Sequence, residues 1–123
     1  MKKLLIFAAL SEGATGLILL AYPPIVVRLL FDEEIAGSGV FMSRLAGASL
    51  VALAVACWPD GDWLRGFYGM VTFSSLAMLY LGVLGVGGNA GILLWPAVVV
   101  HAALVAFLVL GWWRQRKIRE AAA

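Results

Sequence analysis

Charge is scarce in this sequence: only 13% of its 123 residues are Asp, Glu, Lys or Arg, and there is one histidine and one cysteine. The lone Cys57 excludes an internal disulfide and any metal cluster built from cysteines of one chain, so it reads as an inert thiol. Long polar stretches are missing too, which leaves no room for a separate soluble catalytic domain. The excess of cations gives a net charge of only +2, and most of the nine lie at the start of the first apolar segment or just beyond the last. That distribution is a topology signal and speaks against a nucleic-acid surface.

What remains is apolar. Hydrophobic residues make up 63% of the chain and the mean hydropathy is +1.00, far beyond soluble domains. Lipid is the expected solvent. A helix rising ~1.5 Å per residue needs about 20 apolar residues to cross a hydrocarbon core ~30 Å thick. Four such segments nearly exhaust the sequence, at about 4–21, 37–58, 64–86 and 92–113. The fold expected is therefore all-α: one integral membrane four-helix bundle spanning 1–123.

Punctuation supports those limits. Tyr22, Pro23 and Pro24 end the first helix, because consecutive prolines remove backbone donors and push the preceding residue out of helical geometry. Ile25 to Phe31 is too short to span and carries Arg28, so it reads as a short helix or extended piece lying in the interface. "PDGD" at Pro59 to Asp62 makes a tight turn, and "GVGGNAG" joins the third span to the fourth, which stops at the charged tail. Ser11, Glu12 and Thr15 break the first apolar run and no clean cleavage site follows, so that segment reads as a retained helix.

Orientation follows from the flanks. Lys2, Lys3, Arg65 and the tail cations fall on one side, whereas Arg28 on the other is outweighed by Asp32, Glu33 and Glu34. The positive-inside rule makes both termini cytoplasmic, with the protein in the plasma (inner) membrane. Trp58, Trp63, Trp112 and Trp113 belong to the same side, and Tyr22 and Trp95 to the opposite one, as an aromatic belt requires. Gly39, Ser43 and Gly47, with Ala9 and Gly13, are spaced for close helix packing and are read as contacts within the chain. Pro96 is expected to kink the fourth helix.

Three ionisable residues are placed at membrane depth: Glu12, Arg44 and His101. Such placement is unfavourable by about 2.5 to 3.5 kcal/mol for Asp, Lys or Arg, which makes them candidate functional residues. Counting residues puts Glu12 about 12 Å from one boundary and His101 about 13 to 14 Å from the other, within one turn of each other. Arg44 lies about 10 Å in, roughly a turn above them. A plain alternative is that Glu12 and Arg44 form a desolvated ion pair, with His101 bonded to one of them, fixing helix packing only.

The same residues have a chemical reading. Haem b iron takes a histidine ligand in apolar helices, its propionates need a cation, and the macrocycle needs a slot between small residues. His101 would be the metal ligand, Arg44 the propionate partner, and Glu12 either the sixth ligand or an acceptor from the imidazole. With one histidine per chain, ligation by two histidines requires a homodimer. "SEGATG" around Glu12, "YPPIVVRLLF" from Tyr22, "SRLAG" around Arg44 and the single intramembrane His101 resemble small bacterial four-helix membrane proteins of uncharacterised function. More particularly, they resemble a homodimeric membrane-bound b-haem protein family. That resemblance implies haem at or near a dimer interface, with electron transfer or redox sensing toward an unknown redox partner. The competing functions are a proton-coupled transporter or channel, in which Glu12 and His101 relay protons, and an accessory subunit positioned by the polar cluster.

Overall fold

A computed structural model describes all residues from 1 to 123. It contains five helices and no strand: α1 (Lys2–Ala21), α2 (Pro23–Phe31), α3 (Ser38–Ala56), α4 (Trp63–Val86) and α5 (Leu94–Ala122). All except α2 are long and apolar enough to cross a membrane. The chain is thus an all-α, multi-pass membrane protein by helix length and hydropathy. Large apolar side chains such as Phe41, Val55 and Val83 stand on its surface. In water that would be a liability; against lipid tails it is the expected exterior.

Local chemistry explains the helix ends. Tyr22 interrupts α1 in an extended conformation, and Pro23 and Pro24 occupy the first positions of α2. A helix leaves its first N–H groups unpaired, so proline loses nothing there. The segment expected as a short helix or extended piece is therefore a helix, and it begins two residues before Ile25. Asp32 ends α2 in the left-handed region at φ 54°, its N–H bonded to the Arg28 carbonyl. At the start of α4, the Asp62 carboxylate accepts from the Leu64 N–H at 3.2 Å, a side-chain cap.

Two boundaries differ from the sequence expectation. The fourth span does not stop at its charged tail, because α5 continues through Arg114–Arg119 to Ala122. Arg, Gln, Lys, Glu and Ala are good helix formers, and an Arg116–Glu120 contact at 3.0 Å links successive turns. The apolar run ends where the lipid ends, and the helix does not. The other difference is Pro96, expected as a kink. Since α5 begins at Leu94, Pro96 falls in its first turn. No intrahelical bond is lost there.

α1 packs antiparallel to α3, and α4 to α5; contacts between the two pairs are sparser. Gly13 faces the Ala54 methyl and Gly16 faces Gly47, so α1 and α3 approach with backbones nearly touching. The small-residue motif thus acts within the chain as read, with Gly47 rather than Gly39 at the contact. A core of Leu5, Ala8, Ala9, Met70, Leu104 and Leu108, with Phe67 and Cys57, fills the end that holds the N-terminus. Phe67 packs between Trp63 and Trp112, each ring centroid 6.1 Å away. At the opposite end Leu94 and Trp95 cover Gly85, which separates Trp95 from the other tryptophans as the aromatic pattern anticipates.

The α4–α5 connection is anchored. Gly91 and Leu93 donate their N–H groups to the Leu30 and Leu29 carbonyls, both at 2.8 Å. These acceptors belong to the last turn of α2, whose carbonyls have no partner within the helix. Ordering by this contact delays the start of α5 past Ile92.

Candidate functional site

Each inward helix face can be traced in the sequence. α1 buries Leu5, Ala8, Ala9, Glu12, Gly16 and Leu19, a spacing of three and four residues that forms one stripe. Glu12 is its only polar member. α4 buries Gly66, Phe67, Met70 and Ser74; α5 buries Leu94, Leu104 and Leu108, with His101 three residues before Leu104 on the same face. The polar side chains of three inward stripes are Glu12, Ser74 and His101.

Glu12 and His101 meet. His101 Nδ1 lies 3.7 Å from Glu12 Oε1, with side chains 14% and 8% exposed. This is ion-pair distance but longer than a hydrogen bond, which would require closure by about 0.7 Å. The imidazole is held from the α4 side by Phe73, whose ring meets it edge-on at 5.9 Å. That contact sets the level of Ser74, the next residue along α4.

Both His101 Nδ1 and Ser74 Oγ are buried without a hydrogen-bond partner. Three other hydroxyls in the spans are bonded to their own helix. Ser11 bonds to the Phe7 and Ala8 carbonyls, Thr15 to Ser11 and Ser49 to Leu45, the usual way a helix satisfies Ser and Thr in lipid. Ser74 stands apart from them. Nothing in the sequence marks it except its position on the Phe67–Met70 stripe, and reading that stripe requires knowing which face of α4 turns inward.

Arg44 is not part of this group. It lies on the exposed surface of α3, and no carboxylate comes within 4 Å of it. The ion pair with Glu12 expected from depth alone does not form. α3 meets α1 through Gly47 and Ala54, and Arg44 stands exposed outside that seam. Residue counts give a level along a helix; they do not give its azimuth.

The site's ligand inventory is short. No three of the His, Cys, Asp and Glu side chains converge, so Glu12 and His101 are the donors available. Cys57 is buried at the end of α3, against Gly66 and Gly69. Two cavities lie elsewhere. One of about 340 Å³ is flanked by Tyr22, Arg28, Glu33 and Glu34, the other of about 250 Å³ by Trp63, Trp112 and Arg116.

Among known proteins, the chain matches no family model, no curated protein and no solved structure. No family is identified.

Proposed function

We propose that Glu12 and His101 form a proton-handling pair at membrane depth, the centre of a proton-coupled transporter or channel. The observation that carries this reading is a buried carboxylate 3.7 Å from a buried imidazole nitrogen that has no hydrogen-bond partner. A lock serving packing alone would use up its donors and acceptors, because an unsatisfied polar group in a low-dielectric interior is destabilising. Here the imidazole nitrogen and the Ser74 hydroxyl remain available. One proton shared by Glu12 and His101 leaves the pair neutral whichever residue holds it, so passing it between them creates no net charge in lipid. Proton relays through membranes commonly use such Glu and His side chains.

Proton flux into liposomes, read by an enclosed pH-sensitive dye under an imposed potential, tests it. Flux above that of empty vesicles, lost on Glu12→Gln or His101→Ala in protein that stays folded, is the expected result. Wild-type protein with no flux of its own would overturn the reading.

A second reading has its own support: His101 Nδ1 faces a carboxylate, the arrangement that orients an imidazole bound to metal through its other nitrogen. In this reading the chain is a b-type haem protein for electron transfer or redox sensing. His101 is the iron ligand, and Glu12 holds the ring. The haem would supply a one-electron couple. Phe73 packs edge-on against His101 from the α4 side, and this reading puts the macrocycle outside the single chain. It would have to lie between two copies, with Arg44 reaching propionates only if the partner's position allows. A Soret band at one haem per two chains would support this reading, and colourless folded protein from haem-replete cells would remove it.

For orientation, we infer that both termini face the cytoplasm of a plasma membrane. Cysteines introduced at Glu33 or Asn89 are then labelled from outside intact cells; labelling only after lysis reverses the assignment.

A further inference from the structure

The continuation of α5 beyond the apolar span creates a feature unrelated to the Glu12–His101 pair. Gln115, Arg116 and Arg119 on that extension overhang the first turn of α4, enclosing a groove of about 250 Å³ with Trp63, Trp112 and Asp62. The groove sits at the lipid–water boundary, because Trp63 opens one spanning helix and Trp112 is near the end of the apolar part of the other. Indole rings favour that level.

Its charge is arranged for an anion. The Arg116 guanidinium lies 5.5 Å from the centre of the Trp112 ring and uses Nε for Glu120 at 3.0 Å, so its remaining N–H groups are free. Arg119 has no carboxylate within 4 Å. The one acidic wall, Asp62, is already engaged by the Leu64 N–H at 3.2 Å and by Arg65 Nε at 3.8 Å. Two guanidiniums, one of them shared with Glu120, therefore face one carboxylate shared with Arg65. Guanidinium groups bind phosphate oxygens through paired, charge-assisted hydrogen bonds.

The surroundings identify which kind of phosphate. Leu64 borders the groove, and it and Tyr68 one turn further into the span are exposed. They form an apolar strip running from the groove toward the membrane interior. A free phosphate makes no use of such a strip, whereas acyl chains attached to a headgroup would lie along it. We propose that this groove binds the phosphate of an anionic phospholipid, with Arg116 and Arg119 as its ligands.

Native mass spectrometry of the full chain in detergent, titrated with phosphatidylglycerol or phosphatidylcholine, tests the assignment. Retention of phosphatidylglycerol is expected to exceed that of phosphatidylcholine by at least about fivefold, the scale of one basic side chain near an anionic lipid surface. Arg116→Ala with Arg119→Ala should bring the two lipids close to parity. Arg114→Ala with Lys117→Ala removes the same charge from outside the groove and should preserve the preference. Helical content by circular dichroism checks that both variants fold, and these exposed positions make unfolding no obstacle. Equal retention of the two lipids, or an equal loss in both double variants, overturns a discrete site. Addition of inorganic phosphate separates the sources: phosphatidylglycerol that stays bound at millimolar phosphate supports a lipid ligand, and its displacement there overturns it in favour of free phosphate.

Discussion

Gly16 and Gly47 face each other across α1 and α3 so closely that a Cβ on either would lie 2.7 Å from the other's carbonyl oxygen. Backbone is what such a Cβ would meet, and backbone yields poorly. Gly47→Val is therefore expected to lower stability by about 1–3 kcal/mol, the usual range for overpacking, measured by unfolding in detergent or bicelles. Gly39→Ala is the matched control. Its Cβ would come no nearer than 3.5 Å to Ile35, and stability should be unchanged.

The Glu12–His101 contact predicts non-additivity. Glu12→Ala and His101→Ala are each expected to destabilise, and the double variant to lose less than their sum. The coupling should be about 1 kcal/mol, within the range for polar contacts between membrane helices. Strict additivity in unfolding measurements would show that the two side chains do not interact.

Arg44 predicts the opposite behaviour. Removing it strands no buried partner, and a leucine suits a lipid-facing position. Arg44→Leu should leave the unfolding free energy unchanged or raise it, and adding Glu12→Gln should not alter that effect. Destabilisation by Arg44→Leu that Glu12→Gln rescues would restore the ion pair excluded by the present geometry.

Cys57 lies at the end of α3, only 3% exposed, where burial pushes its thiol pKa upward. Thiolate is the reactive form. A raised pKa means less thiolate at neutral pH, so alkylation of the native protein should be slow and should accelerate as pH rises. Unfolding in SDS should make Cys57 react at the rate of a free thiol. Rapid native labelling at neutral pH contradicts this packing of α3 against α4.

Hydropathy located the four spanning helices to within a few residues, because lipid imposes a length and a composition that the chain displays directly. Prolines 23 and 24 marked the α1–α2 break for the same local reason. The extent of α5 was hidden: the charged tail ends the apolar pattern without ending the helix, and these two boundaries have different physical causes. For the site, counting put Glu12 and His101 within one turn of each other, and they do meet, but level alone did not separate that pair from Arg44. Arg44 and Ser74 exchanged places because neither composition nor depth tells which way a helix is turned when lipid and protein interior are equally apolar. Only the glycine contacts of α3 and the Phe67–Met70–Ser74 stripe of α4 settle that rotation, and both need the partner helix to be known.

The tie between α2 and the α4–α5 connection is made by main-chain atoms alone, from the N–H groups of Gly91 and Leu93 to the carbonyls of Leu30 and Leu29. Side-chain identity at Leu29, Leu30 and Leu93 is thus of little account to those bonds. Gly91 is different, since any side chain there would collide with the Leu29 carbonyl. In a saturation scan of this loop, nearly every apolar exchange at its neighbours should survive while Gly91 tolerates none, an isolated intolerant position in an otherwise permissive stretch.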